Sequence, residues 1–328
     1  MLLILYLYRK TITMGNIPNF KSLPQLLKFF EKEETCIKYY EQLRWGGKPI
    51  CPHCKSEKPY VTNRGYKCSN KECLKKFTVK IGTIFENSKI PFTTWFPALY
   101  LCAGHKKGIS SVQLSIDLNI TQKTAWFMLQ RIREMLKNQA IGSFSGNTPV
   151  EVDETFVGGK EENRHTKKKQ SKTNLDLAND GTVYNKKKVV IGIIERGGKI
   201  VLKSIPNTKS ETMMPIIFEY VPAGSHVMTD EHSSYSHLKQ VYTHDTVTHS
   251  ARIYVDGNKH TNSIENFFSI LKRGLMGVYH SVSDKHLERY LNEFATRFNA
   301  RHTSPFENFN VYLTKSEGGL LYKNLIAD

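Results

Sequence analysis

The sequence lacks an apolar run long enough to cross a membrane. A spanning helix needs about 20 apolar residues, whereas the apolar stretch at residues 1–8 (MLLILYLY) stops at Arg9 and Lys10. In a signal peptide the positive charges precede the apolar stretch, whereas here they follow it. We therefore expect no contact with a membrane. We interpret Met14 as the start of translation and residues 1–13 as an upstream misread.

Disulfide density and acidic charge are also low. The chain has six cysteines in 328 residues, too few for a small disulfide scaffold. The chain has 30 acidic residues and 47 lysines and arginines, so its formal net charge is +17. Such a charge attracts polyanions; nucleic acid fits best, and an anionic membrane surface is the weaker alternative. We expect a cytoplasmic protein, nucleoid-associated in a bacterium or nuclear in a eukaryote. Dinucleotide and P-loop fingerprints are absent, so no nucleotide cofactor is expected.

Four cysteines form a spaced cluster. Cys51 and Cys54 precede Cys68 and Cys73 in a C-x2-C-x13-C-x4-C pattern. Two thiolates on one tight turn can reach a single cation, and two such turns complete the tetrahedral shell of zinc. The aromatic and β-branched residues between the pairs are typical of a zinc ribbon. Ribbons bind DNA, bind proteins or only stabilise a fold; the surrounding lysines favour nucleic acid.

Residues 107–136 have the pattern of a helix-turn-helix. Ser110 or Ser111 can cap a short first helix, residues 118–120 make the turn, and Thr121 caps a second helix with one apolar face. The N-terminus of the second helix is where a recognition helix contacts DNA. The DNA-binding candidates there are Gln122, Lys123 and Thr124. A plain helical hairpin is the alternative.

The region after residue 148 has a different pattern. Strands are predicted at 150–157, 189–195, 199–205 and 226–229, the second and third joined as a hairpin by Arg196-Gly197-Gly198. Helices are predicted at 211–220, 262–276 and 284–299. Strands, a hairpin and then helices indicate a mixed α/β domain.

Three acids stand at distinctive places in that domain. Asp153 lies in an apolar strand, Asp230 ends another, and Glu265 lies in a helix that begins near Asn262. Each acid alone is a weak signal. Together they fit a site in which two divalent cations activate water or a 3′-hydroxyl and stabilise the leaving oxygen of a phosphodiester. Lys272 lies two helical turns after Glu265, where it could contact the DNA backbone.

Five long segments carry a resemblance to a known family. They are residues 77–96, 106–134, 150–163 (VEVDETFVGGKEEN), 227–235 (VMTDEHSSY) and 260–299. The chain resembles insertion-sequence transposases with an N-terminal zinc ribbon, a group related to the eukaryotic Merlin elements. The similarity covers roughly residues 20–305.

The resemblance implies an RNase H-like catalytic domain with a DDE triad. It implies Asp153 as the first carboxylate and Asp230 as the second, with Mg²⁺ or Mn²⁺ as cofactor. Members use either a Glu or an Asn three residues earlier as the third ligand, and both Glu265 and Asn262 are present. We favour Glu265, because a carboxylate binds Mg²⁺ more strongly than an amide. Lys272 matches the Lys that follows the third acid, and the adjacent Arg273 is a further DNA-binding candidate.

Six regions are expected along the chain. They are an extension (1–19), an N-terminal helix (20–47), a zinc ribbon (48–82), a helix-turn-helix region (91–140), the catalytic domain (148–305) and a C-terminal tail (306–328). The expected function is binding of terminal inverted repeats, cleavage at the ends, and joining of the freed 3′-hydroxyls to target DNA. We expect a homo-oligomer, a dimer in the complex that pairs two ends. A domesticated or inactive DNA-binding regulator and a hydrolysis-only nuclease are the alternatives.

Overall fold

The computed structural model describes residues 20–137, 144–158, 187–247 and 260–326. The predicted extension lies outside the described residues, as does most of the lysine-rich stretch at 160–188. The chain divides into two compact units. Unit 1 combines residues 1–139 with 300–328, and unit 2 comprises residues 140–299.

Unit 1 is built around one apolar helix. It begins with α1 (Leu23–Phe29) and α2 (Glu33–Trp45), where the sequence predicts one continuous helix. The central helix is α3 (Phe92–Gly104), whose residues 95–102 are all buried. A helix apolar on every side belongs in the middle of a core. The carboxylate of Glu33 accepts hydrogen bonds from the backbone N–H groups of Phe92 (2.9 Å) and Thr93 (3.0 Å), which anchors the start of α3.

The C-terminal residues complete this core, and their prediction as a tail is wrong. They form α9 (Pro305–Thr314) and α10 (Tyr322–Ile326), which follow all the other described helices and strands in the chain. Phe309 is fully buried against the core that surrounds α3. Ser304 and Glu307 make a capping box at the start of α9. A serine followed three residues later by glutamate predicts a helix start, and this signal was overlooked in the sequence.

Unit 1 also contains the predicted small modules. The ribbon has three short antiparallel strands, β1 (Tyr60–Thr62), β2 (Gly65–Lys67) and β3 (Lys76–Phe77). After α3 come α4 (Ser111–Asp117) and α5 (Gln122–Lys137). Ser110 caps α4 by accepting a hydrogen bond from the backbone N–H of Gln113 at 3.0 Å, as predicted.

Unit 2 is built on a five-stranded mixed sheet. Its strands are β4 (Val150–Val157), β5 (Lys188–Glu195), β6 (Ile200–Ile205), β7 (His226–Asp230) and β8 (Thr243–Val247). Their order is β6-β5-β4-β7-β8, with β6, β5 and β4 antiparallel and β4, β7 and β8 parallel. In the numbering of the unit alone this is 3-2-1-4-5 with strand 2 reversed. That is the RNase H-like sheet which the resemblance implies.

Helices cover both faces of the sheet. The helix α6 (Ser210–Tyr220) packs on one face, while α7 (Asn262–Gly274) and α8 (Asp284–Asn299) pack on the other. A π-helical turn, Leu275–Tyr279, extends α7. Gly192 on β5 permits a close approach, because a Cβ there would lie 2.7 Å from Ile264 and 2.8 Å from Phe268 of α7. The helix therefore rests almost directly on the sheet backbone.

The predicted elements of unit 2 are confirmed, and two others were missed. A 3-10 helix spans Ser233–Gln240, and β8 forms the edge of the sheet. The residues of β8 read THDTV, with one apolar position buried at Val247. An edge strand with so few apolar residues has no clear alternation for sequence reasoning to detect.

Candidate active site and zinc centre

The four predicted cysteines converge. Their ligand atoms all lie within 4.8 Å of one another. The sulfurs of Cys51 and Cys73 are 3.9 Å apart, and those of Cys54 and Cys68 are 3.4 Å apart. Zinc–sulfur bonds of about 2.3 Å in a tetrahedron place sulfurs about 3.8 Å apart, so the cluster has the size of a zinc site.

Local backbone geometry explains why the cysteines meet. Each pair is followed by a residue in the left-handed conformation, Lys55 at φ 63° and Leu74 at φ 48°. The backbone N–H of Lys55 donates to the carbonyl of Cys51 at 2.8 Å, which closes a tight turn. Behind the cluster, Trp45, Tyr66 and Phe77 pack as aromatic rings 5.6–6.0 Å apart. The ribbon thus has a small core of its own.

The first two predicted acids lie on neighbouring strands. Strands β4 and β7 run parallel, with Val150 opposite Val227 and Glu151 opposite Met228. Continuing this register places Asp153 beside Asp230, the last residue of β7. Neighbouring strands lie about 4.8 Å apart, so the two carboxyl groups share one part of the sheet. Both residues are half-buried.

The predicted third ligands lie on the first turn of α7. Asn262 and Glu265 are both exposed. The hydroxyl of Thr261 donates to the carboxylate of Glu265 at 2.7 Å. An open groove of about 790 Å³ beside the helix brings Asp153 and Glu265 together with Lys272 and Arg273. The remaining lining residues are Glu154, Thr155, Phe268, Ser269, Met276 and Gly277. Neither Asn262 nor Asp230 is among them.

The surroundings of Asp153 raise its proton affinity. Burial, followed by the charges of Glu154, Asp230 and Glu265, raises the pKa of Asp153 to about 8. Burial, followed by the charge of Asp230, raises the pKa of Glu154, although a hydrogen bond from Tyr235 opposes the shift. That bond, from the fully buried Tyr235 hydroxyl, is 2.6 Å long.

This donor set fits divalent cations. Several carboxylates held together at an open groove repel one another, and a hard cation with oxygen ligands would relieve that repulsion. Among the residues that the structure describes, the four cysteines form the only close group of three or more candidate metal ligands, and their ligand atoms lie within 4.8 Å of one another. Asp153, Asp230 and Glu265 do not form such a cluster.

The predicted DNA-contact residues begin α5. Gln122 and Lys123 are exposed, and Thr124 is half-buried. The hydroxyl of Thr121 accepts a hydrogen bond from the backbone N–H of Thr124 at 3.2 Å and so caps the helix. The Lys123 ammonium group also lies 5.3 Å from the ring centre of Tyr322 in α10. The start of the helix is thereby presented on the surface of unit 1.

Comparisons with known proteins give matches in both units of the chain. The family model described as ISXO2-like transposase domain matches residues 144–299, and the transposase zinc-ribbon domain matches residues 31–76. A transposase-like protein of Haemophilus influenzae is 34% identical over 102 residues, covering 31% of this chain and 81% of the relative. The chain belongs to the ISXO2-like transposase family. The four-cysteine cluster of this transposase is accordingly a zinc site.

Further matches extend over more of the transposase. A protein in the transposable element ISH50 of Halobacterium salinarum is 27% identical over 280 residues, covering 83% of this transposase and 92% of the relative. The crystal structure of a pre-cleavage Mos1 transpososome superposes with a TM-score of 0.25 and 12% identity, covering 65% of this chain and 75% of that one. Because that score is low, the superposition does not identify the fold. The fold is identified from the order of strands in unit 2. Within the described ranges, each helix of the transposase is too short or too polar to span a membrane.

Three residues around the acids were given no role from the sequence of the transposase. Glu151 lies two residues before Asp153, and its side chain is fully buried. Arg196 donates to it from the turn between β5 and β6, and Tyr235 donates to Glu154 from the 3-10 helix. A signal for Glu151 exists, because residues two apart on a strand share a face. The partners of these acids come from distant parts of the chain and carry no local signal.

Proposed function

We propose that this transposase cleaves DNA at the ends of its element and joins the freed 3′-hydroxyls to target DNA. The observation that carries the proposal is the placement of Asp153, which lies beside Asp230 and lines a groove with Glu265 and Lys272. An anionic cluster flanked by basic side chains suits a phosphodiester held by cations. The net charge of +17 favours binding of the DNA polyanion.

Asp153, Asp230 and Glu265 would hold the divalent cations. When bound, two such ions activate water or a 3′-hydroxyl and stabilise the leaving oxygen. Lys272 and Arg273 are exposed along the same groove, where their charges can neutralise phosphates and orient the strand. We infer that Glu265, rather than Asn262, is the third ligand, since it lines the groove with Asp153 and its charge contributes to the raised pKa of Asp153.

The test of the chemistry uses element-end DNA, a target plasmid and Mg²⁺ or Mn²⁺. Asp153→Asn should lower cleavage and joining by at least about 10³-fold and leave DNA affinity unchanged, because it removes a metal ligand without changing shape. Asp245→Asn is the matched control, an aspartate of the same sheet that pairs with His226 and lies outside the groove. Joining by Asp153→Asn at the wild-type rate would show that the assignment is wrong.

The same assay separates the third-ligand candidates and the other functions. Glu265→Gln should lose about as much activity as Asp153→Asn, whereas Asn262→Ala should lose less than about tenfold. The reverse order would assign Asn262. Cleavage without joining would identify a nuclease, and binding without cleavage would identify a DNA-binding regulator.

We propose that recognition of the terminal repeats uses the start of α5. Gln122 and Lys123 are exposed at its N-terminus, and the backbone N–H groups there favour phosphate. Lys123→Ala combined with Gln122→Ala should weaken binding to the end sequence by about 10–100-fold. Lys137→Ala, at the opposite end of the same helix, is the control. Equal loss in both variants would mean that only overall charge is read.

Pairing of two element ends would bring at least two copies of the chain together. We propose that a dimer forms with the DNA. Light scattering of the chain with and without end DNA measures the mass of the complex. A complex of one chain and one end under conditions that support joining would rule out the dimer.

A further inference from the structure

A carboxylate outside the proposed triad anchors the helix that carries the third ligand. Glu151 lies on β4 two residues before Asp153, so both side chains leave the same face of the strand. The Glu151 side chain is fully buried. A buried charge is costly unless it is paired and hydrogen-bonded, so its partners define its role.

The first partners of Glu151 are backbone groups at the start of α7. One carboxylate oxygen accepts hydrogen bonds from the backbone N–H groups of Ser263 at 2.8 Å and Ile264 at 3.0 Å. The other oxygen accepts from the Ser263 hydroxyl at 3.0 Å. These N–H groups have no partner within the helix, and the start of a helix favours negative charge.

The helix does not cap itself. Thr261 at the cap position makes no side-chain hydrogen bond to the backbone of α7, and its hydroxyl donates to Glu265 instead. The cap is therefore supplied from the sheet, by Glu151. This joins the first turn of α7 to the strand that carries Asp153.

Arg196 completes the anchor. Its Nε donates to Glu151 at 2.6 Å, and its Nη2 donates to the carbonyl of His260 at 2.8 Å. Its own backbone N–H donates to the carbonyl of Pro149, just before β4, at 3.0 Å. One guanidinium group thus compensates the buried charge and holds the residues on either side of the site.

The position of α7 on the sheet is set at two points. Gly192, opposite Asp153 in the β4–β5 register, lets Ile264 and Phe268 approach the sheet closely. Glu151 fixes the start of the helix by binding the backbone of Ser263, which lies two residues before Glu265. A displacement of about 1 Å in a reacting group can cost about 10²-fold in rate, so this anchor bears directly on the site.

We propose that Glu151 is a positioning residue that, with Arg196, holds Glu265 at the correct distance from Asp153 for both to share the divalent cations. The inference rests on the proposed function. Being fully buried, Glu151 contacts neither DNA nor cation and acts through α7. A merely structural ion pair would change stability alone, whereas a positioning residue changes the affinity for the cation.

The test compares Glu151→Gln with Glu195→Gln in the full-length, zinc-loaded chain. Glu195 is also a buried carboxylate of the sheet, but it accepts its hydrogen bonds from Ser145 rather than from α7. Calorimetric titration with Mn²⁺ measures cation affinity, and the midpoint of thermal unfolding measures stability. Cleavage against Mg²⁺ concentration is the second readout.

We expect Glu151→Gln to weaken Mn²⁺ binding by about 10–100-fold and to raise the Mg²⁺ concentration for half-maximal cleavage by a similar factor. Glu195→Gln should lose stability without either change. Wild-type Mn²⁺ affinity in Glu151→Gln would overturn the inference. If instead the wild-type chain binds Mn²⁺ no better than Asp153→Asn, the proposed function itself fails, and the two failures are thereby distinguished.

Two milder variants keep the inference testable if Glu151→Gln does not fold. Ser263→Ala removes one hydrogen bond to Glu151 and should weaken Mn²⁺ binding by a few-fold. Arg196→Lys keeps the charge and loses the second donor that reaches His260, so it should weaken binding further. Unchanged Mn²⁺ affinity in both folded variants would also overturn the inference.

Discussion

The zinc ribbon of unit 1 and the acidic groove of unit 2 differ in how their candidate metal ligands are arranged. In the ribbon, four thiols converge within 4.8 Å around one ion, on two turns close in sequence. In unit 2 the acids come from two strands and a helix, and two of them, Asp153 and Glu265, line an open groove. A closed shell of protein ligands suits a structural metal, whereas a catalytic site must leave positions for substrate. The geometry therefore fits a metal that holds the fold in the ribbon and, under the proposed function, metals that act on DNA in the groove.

Zinc removal is the strongest test of this contrast. Cys51→Ser combined with Cys54→Ser should abolish zinc binding and unfold the ribbon, because structural zinc contributes on the order of 10 kcal/mol in small zinc domains. Zinc content and the fluorescence of Trp45, which packs on the ribbon core, are the measurements. Cys36→Ala, at a buried cysteine outside the ribbon, should keep one zinc per chain. A folded ribbon without zinc would break the contrast.

A second test disturbs the acidic groove without touching an acid. Gly192→Ala should push α7 from the sheet, since the added Cβ would lie within 3 Å of Ile264 and Phe268. We expect a loss of about 1–3 kcal/mol in unfolding free energy and about 10–100-fold slower cleavage, because the acids separate. Gly319→Ala, with no atom within 4 Å of the new Cβ, is the control. If the folded fraction of Gly192→Ala cleaved DNA at the wild-type rate, the distance between α7 and the sheet would not be critical.

The smallest expected effect is a pH-dependent gain in stability. Burial and the neighbouring acids raise the pKa of Asp153 to about 8, so the folded state binds this proton more tightly than the unfolded chain. The contribution of Asp153 to stability therefore falls as pH rises from the unfolded value near 4 to about 8, and the penalty stays above that. In zinc-loaded protein without added Mg²⁺ or Mn²⁺, Asp153→Asn should melt several degrees above wild type at pH 9.

That difference should shrink towards pH 4. Added Mg²⁺ should raise the melting temperature of wild type at pH 9 and leave Asp153→Asn unchanged. A lower melting temperature for Asp153→Asn at pH 9 would mean that the carboxyl group is stabilising where it lies.

The two sites differ also in what sequence could predict. The zinc cluster was predictable because tight turns bring close cysteines together, and spacing alone describes such turns. The three acids are separated by long stretches of chain, so each was a weak signal alone, and their roles as a triad depended on resemblance to a family. Glu151 lay within the quoted motif but received no role, because its partners Arg196 and Ser263 are remote in sequence.

The fold shows the same division. Each long periodic helix of unit 2 was predicted, since an apolar face is visible within one segment. The single helix predicted before the ribbon breaks after Phe29, and the supposed tail folds into α9. The capping box at Ser304 was a local signal for α9, but the burial of Phe309 beside α3 is a long-range contact that no local pattern shows.

The return of α9 to unit 1 has a consequence for synthesis and inheritance. The ribosome makes unit 2 before it makes the residues that close the core around α3. A nonsense mutation anywhere in unit 2 therefore also deletes part of the unit that carries the helix-turn-helix. Truncated products from damaged gene copies would lack the residues that complete this core, and under the proposed function they would compete poorly with intact protein for the ends of the element.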